Sequence, residues 1–219
     1  MATEIYIIRH GQSIANEKQM YIGRMDWDLS ERGYLEAEET ANALSSVKID
    51  AVYSSSLLRA KNTALPHARL RSLDVIPRDD LMEISLGSWE GRETKELKTL
   101  DDFIHGWCEN FGTFTPPGGE KVSDAADRFY NAVLEIAREN DGRTVLITAH
   151  AAVIRAFWGK ASGIPSEEVA SRVKFPINAS ITRVCYDGEK LVPISYSDTS
   201  HLEKIKSPAE SPTATKYGC

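Results

Sequence analysis

Short apolar runs alternate with amphipathic stretches along most of the chain. Residues 4–9 (EIYIIR), 50–54 (DAVYS) and 144–149 (TVLITA) are rich in β-branched and aromatic side chains, the pattern of strands buried on both faces. Between them the period changes to that of helices. Tyr34, Ala37, Ala41 and Leu44 share one face behind Ser30, a candidate N-cap. A second helix is expected from about Leu57, bent or divided by Pro66. A third, capped by Ser123, carries a stripe of Ala126, Phe129, Tyr130, Val133, Ile136 and Ala137 and ends at Asp141-Gly142. A fourth is expected over 152–161, and strands at 181–186 and 191–196 flank the hairpin signal Asp187-Gly188-Glu189-Lys190. This order predicts a single α/β domain over 1–203: three layers, a mostly parallel sheet flanked by helices, and a C-terminal hairpin. Residues 204–219 have few large apolar groups and are expected to be a disordered tail. Residues 94–119, with Phe103, Trp107, Phe111, Phe114 and a Pro116-Pro117-Gly118-Gly119 turn, fit no regular pattern and are read as an excursion over the sheet.

Composition narrows the function classes. The chain has 219 residues, 42% hydrophobic and 26% charged, enough for one domain with its own core. Its 26 basic and 32 acidic side chains leave a net charge of −6, which argues against general affinity for nucleic acid or an anionic membrane. No apolar stretch approaches the length of a membrane span, and the amino terminus does not read as a signal peptide. Cys108, Cys185 and Cys219 are scattered, with no zinc spacing and no disulfide framework, so a reducing cytoplasm is expected.

Two of the five histidines occupy equivalent places. His10 follows one expected strand and His150 another, at carboxyl ends where open α/β sheets bind ligands. Either one alone reads equally well as an ordinary strand-end histidine. Their company adds weight: Arg9 precedes His10, and Arg59 stands where the second strand passes through serines into a helix, a natural phosphate site. Glu83 is an acid among Leu81, Met82 and Ile84, surroundings that raise a carboxyl pKa if it is buried and leave a surface acid if it is not.

Together these segments resemble the histidine phosphatase superfamily, the phosphoglycerate mutase-like proteins. Arg9-His10-Gly11-Gln12-Ser13 with Asn16 is similar to the family's opening motif. Asp28-Leu29-Ser30-Glu31-Arg32-Gly33, the Tyr53 to Ala60 segment, Leu81-Met82-Glu83 with Gly87 to Gly91, Pro117-Gly118-Gly119-Glu120 and the His150 segment follow in the family's order. The resemblance implies the phosphoglycerate mutase-like fold and His10 as a nucleophile that becomes phosphohistidine. It implies phosphoryl contacts from Arg9, Asn16, Arg59 and His150, with catalytic roles for His150 and for Glu83 as the acid that protonates the leaving oxygen. One departure is Ala151, where the family's pattern has glycine after the second histidine.

The resulting expectation is a cytoplasmic, metal-independent phosphatase, without cofactor, acting on a small phosphorylated metabolite through a phosphohistidine. The oligomeric state stays open, a homodimer included. Two rivals remain: a bisphosphate-primed phosphoglycerate mutase, and a phosphate-ligand binding protein without turnover. Glu83 and His150 lie 67 positions apart, short for a mutase's lid, and residues 84–149 carry seven basic and twelve acidic side chains, a poor lining for a bisphosphate. Retention of both His10 and Glu83 speaks against a binder. No GxxxxGK[ST], GxGxxG or GxSxG element occurs, and Asp26-Trp27-Asp28 lacks the apolar strand an aspartyl phosphatase needs before it. The aromatic residues of 103–114 read either as a wall over the pocket or as packing of the excursion.

Overall fold

The structure is a computed structural model and describes residues 1–205; the expected tail lies, from residue 206, outside the described residues. The chain begins with β1 (Thr3–Arg9), α1 (Ile14–Glu17), β2 (Met20–Tyr21) and α2 (Glu31–Ala43). There follow β3 (Ala51–Ser55), α3 (Leu58–Arg69), β4 (Val75–Arg78), β5 (Arg92–Glu93) and α4 (Thr94–Leu97). The second half contains α5 (Val122–Glu139), β6 (Thr144–Ala149), α6 (Ala151–Ala161), α7 (Val169–Arg172), β7 (Ile181–Tyr186) and β8 (Leu191–Asp198).

Among the described residues six strands form one sheet in the order β4-β3-β6-β1-β7-β8. The first three pairings are parallel, while β7 and β8 run antiparallel as the expected hairpin. Alternation along the strands builds the two cores. Ile5 and Ile7 of β1, with Val145 and Ile147 of β6, join the cluster that holds the buried stripe of α5 and Phe157 of α6. Tyr6 and Ile8, with Val52 and Leu146, face the opposite way onto Leu44, Ala64 and Ala68 beneath α2 and α3. Both faces of β1 and β6 are covered, which is why these strands read as continuous apolar runs.

Three local expectations need correction. α3 runs undivided through Pro66 to Arg69. The N-cap of α5 is Lys121, without a side-chain bond, and Ser123 sits inside the first turn with its hydroxyl turned to Asp124. α6 starts at Ala151, one residue before the expected position, whereas Ser30 caps α2 as expected, accepting from the Gly33 N–H at 3.1 Å.

The excursion over 94–119 is pinned rather than loose. β2 and β5 form a two-residue ribbon, Met20 opposite Glu93 and Tyr21 opposite Arg92. A π-helical turn, Asp102–Cys108, buries Phe103 and Trp107 against Tyr21 and Trp89, and Phe111 is buried beside them. Packing therefore accounts for Phe103 and Phe111, while Trp107 also reaches the cavity described next.

Candidate active site

β1 and β6 are neighbours in register, Arg9 beside Ala149, so the next residue of each strand arrives at the same edge. His10 and His150 meet there with ring centroids 5.2 Å apart. Arg9, His10, Asn16, Arg59 and Glu83 line one cavity, open to solvent. Three separate elements (β1, α1 and α3) and the loop after β4 deliver them, so five of the six expected site residues share one cavity wall.

His10 Nδ1 lies 2.7 Å from the carbonyl oxygen of Gly11. A carbonyl only accepts, so this contact assigns the proton to Nδ1 and leaves the Nε2 lone pair available. Burial, reinforced by Arg59 and then Arg9, holds the imidazole pKa well below its ordinary range. The His10 main chain is fixed as tightly as the ring: its carbonyl accepts from Ala179 N–H (3.2 Å) and from Asn178 Nδ2 (3.0 Å). Asn178 Nδ2 also donates to Asn16 Oδ1 (3.1 Å), which accepts from Ser13 N–H as well. That turns the Asn16 amide nitrogen away from these two donors.

The glycine after His10 has a steric reason. A Cβ on Gly11 would lie 2.4 Å from the Gly33 carbonyl oxygen, and one on Gly33 would lie 2.0 Å from the Gln12 carbonyl oxygen. Neither glycine has a positive φ; the first turn of α2 simply packs backbone to backbone on the His10 loop.

Arg59 is 1% exposed and enters from α3. Its Nη1 and Nη2 donate to the Met25 and Gly23 carbonyls at 3.0 and 2.7 Å, while Nε is buried without a hydrogen-bond partner. Burial lowers its pKa to about 10, so it stays a cation at neutral pH. At the start of this helix Leu58 N–H donates to Asp26 Oδ1 at 2.6 Å, and neither Leu57 nor Leu58 lines the cavity. The cavity takes the Arg59 side chain instead. Arg9 donates from Nη1 to the Pro176 carbonyl at 2.6 Å.

Glu83 is buried, not a surface acid. Its Oε1 accepts from Ile84 and Val153 N–H (both 2.9 Å), and its Oε2 accepts from Ala152 N–H (3.0 Å). The carboxyl thus sits on the open N-terminus of α6, directly after His150. Burial raises its pKa and outweighs the opposing pull of these N–H donors and Arg59.

His150 is placed differently from the others. It is 0% exposed and stands behind His10 rather than on the cavity wall, which Ala151 and Ala152 form at this point. Its Nε2 is 2.7 Å from Ser55 Oγ, itself an acceptor from Leu57 N–H at 3.3 Å. Ser55 thus holds the ring at Nε2, while the buried Nδ1 has no hydrogen-bond partner. Ala151 begins α6 with no positive φ, so the methyl group where the family pattern has glycine costs no backbone strain.

Sequence reasoning missed Asn178 and the Ser55–His150 pair. Nothing in Pro176-Ile177-Asn178-Ala179-Ser180 marks an amide 168 positions away as the clamp on His10. Ala179 alone leaves a trace in the backbone, a φ of 55° held while its N–H donates to His10.

Comparison with known proteins identifies the family. The sequence profile of the histidine phosphatase superfamily (branch 1) matches residues 5–199. A metal-independent phosphoserine phosphatase of Arabidopsis thaliana is 33% identical over 207 residues, 93% of this chain and 84% of that protein. Bacillus stearothermophilus YhfR superposes with a TM-score of 0.85 at 30% identity, over 92% of this chain and all of that one (100%). A mycobacterial glucosyl-3-phosphoglycerate phosphatase solved with VO3 superposes with a TM-score of 0.82 at 26% identity, over 90% of this chain and 99% of that one. Mycobacterial relatives, including a bifunctional protein of Mycobacterium tuberculosis, are 36% identical over 155 residues, but the match spans only 42% of their length. With the profile covering nearly all of β1 through β8, the chain belongs to the histidine phosphatase superfamily, branch 1.

Proposed function

We propose that the protein is a phosphatase that hydrolyses a small phosphomonoester through a phosphohistidine on His10. The observation that carries this reading is His10 and Glu83 in one cavity with Arg9 and Arg59, where the 2.7 Å contact to the Gly11 carbonyl keeps the His10 proton on Nδ1 and leaves Nε2 free. At ordinary pKa values and neutral pH, a largely neutral imidazole would stand beside a carboxylate that has no proton for the leaving oxygen. Here His10 is pushed down and Glu83 is pushed up, which favours a neutral base with a protonated acid.

In the first step the His10 Nε2 lone pair forms a bond to phosphorus as the bond from phosphorus to the ester oxygen breaks. Glu83 gives its proton to that oxygen and the alcohol leaves. The Nδ1–H bond to the Gly11 carbonyl supports the positive ring that results. In the second step Glu83, now a carboxylate, takes a proton from water as the water oxygen bonds to phosphorus and the N–P bond breaks. Phosphate leaves, and His10 and Glu83 return to their starting states. Arg9, Arg59 and Asn16 bind the equatorial oxygens, which need positive charge more than covalent help. For His150 the available atom is Nδ1, with Ser55 holding the ring.

Hydrolysis is favoured over mutase chemistry by where the cations are. Arg9 and Arg59 serve one phosphoryl group, and the other lining residues carry no formal positive charge for the second phosphate of a primer. Binding without turnover would require neither the free Nε2 at His10 nor a buried acid at Glu83. The test is to supply 3-phosphoglycerate with a trace of 2,3-bisphosphoglycerate, alongside simpler monoesters, under exhaustive chelation. Phosphate release from at least one monoester, well above any isomerisation, is expected; isomerisation that outpaces release on every substrate, or activity lost to the chelator and restored by magnesium or zinc, would overturn the reading.

A further inference from the structure

We infer that the cavity selects phosphomonoesters of apolar or aromatic alcohols over esters that carry a second negative charge, and that Trp107 and Phe175 determine this selectivity. The inference rests on the phosphatase reading and names the substrate class for the same site.

The cavity is chemically divided. Its charged and amide side chains, Arg9, Asn16, Arg59 and Glu83, are those needed at phosphorus and the ester oxygen, together with His10. The remaining wall is Met20, Tyr21, Ile22, Leu86, Trp107 and Phe175, closed by the methyl groups of Ala151 and Ala152. Trp107 stacks on Phe175, with centroids 6.1 Å apart and planes at 24°, and meets Tyr21 edge-on at 6.3 Å. These three rings pack against one another along the wall.

That wall is held from behind. The Arg155 guanidinium lies between Phe175 and Phe111, 4.2 and 4.4 Å from their ring centroids. Its Nε donates to the Val173 carbonyl at 2.7 Å and its Nη2 to the Ala170 carbonyl at 2.8 Å. Arg155 is 4% exposed and screened by Phe175, so its charge fixes the wall and is not presented to a ligand. Arg24, the cation beside the Glu83 loop, pairs with Glu120 at 3.1 Å and is not part of the wall.

A substrate carboxylate reaching past the ester oxygen would therefore exchange its hydration for a largely hydrocarbon and aromatic wall. An aryl or alkyl group would bury area there with no such loss.

The experiment compares kcat/KM for benzyl phosphate, phosphoserine and 3-phosphoglycerate, all esters of primary alcohols, with p-nitrophenyl phosphate as the control for turnover. Benzyl phosphate should exceed the two carboxylates by about tenfold or more. Phe175→Leu should raise KM for benzyl phosphate while changing phosphoserine little. Ile22→Lys, which adds a cation at a half-buried place on the wall, should shift the ratio toward phosphoserine. Phosphoserine or 3-phosphoglycerate turned over as well as benzyl phosphate, or a ratio unmoved by both variants, would overturn the inference and leave the phosphatase reading standing. No phosphate from any ester, the nitrophenyl control included, would overturn both.

Discussion

At Glu83 the balance of forces can be read through pH. Burial raises its carboxyl while three backbone N–H groups and Arg59 pull it down, and burial prevails. His10 moves the other way, with burial first and the two arginines adding to it. Rising pH removes the Glu83 proton and falling pH charges His10. On an alkyl phosphate, kcat/KM should therefore show an alkaline limb above the ordinary carboxyl range and an acid limb below the ordinary imidazole range. On p-nitrophenyl phosphate, whose leaving group needs little protonation, the alkaline limb should largely vanish. Glu83→Gln keeps the acceptor for Ile84 and Val153 N–H but cannot supply a proton. It should cost about 10²- to 10³-fold on the alkyl ester and under about tenfold on the nitrophenyl ester. Equal losses on both would reduce Glu83 to a positioning group.

Among the elements, the contact of α2 with the His10 loop is the most sensitive. Gly33→Ala would drive a methyl group into the Gln12 carbonyl, and the loop or the helix must move. A loss of about 1–3 kcal/mol in urea unfolding is expected, with kcat lowered roughly tenfold or more because His10 shifts. Wild-type stability and rate in this variant would remove close approach as the reason for glycine. The elements that sequence pattern reveals are the long ones. β6 and β7 match their expected limits, and the stripe of α5 is buried as read except for Tyr130, which is half-buried. β2, β4 and β5 escaped because two to four residues carry no period of their own; they exist through partners, Met20 with Glu93 or Ser54 with Pro77. Likewise Arg9, His10, Asn16, Arg59 and Glu83 were legible from residue type and motif order. Asn178 and Arg155 were not, because each acts through backbone carbonyls that any residue could present.

On the scale of the whole molecule, acid should unfold this chain through its histidines. His67, on α3 beneath α2, is 0% exposed with neither ring nitrogen hydrogen-bonded. Burial, with Arg71 and His201, lowers its pKa to about 3. The folded value lies below the unfolded one, so the unfolded chain takes up the proton first. Stability is complete above about pH 6.5 and declines as pH falls from there toward 3, by at most about 1.4 kcal/mol per pH unit for one such group. His10 and His150 act in the same direction, while protonation of Glu83, whose folded value is raised, opposes them at the acid end. The urea midpoint should fall between pH 7 and pH 5, and His67→Leu, which breaks no hydrogen bond, should raise it more at pH 5 than at pH 8. A variant that behaves alike at both values would exclude His67 as a contributor. The central claim, a covalent bond between phosphorus and His10 Nε2, is tested most directly by quenching the enzyme during turnover of a ³²P-labelled monoester and locating the label. The account predicts one acid-labile, alkali-stable phosphate on His10, absent from His10→Ala; label on a serine or aspartate, or turnover retained without His10, would contradict it.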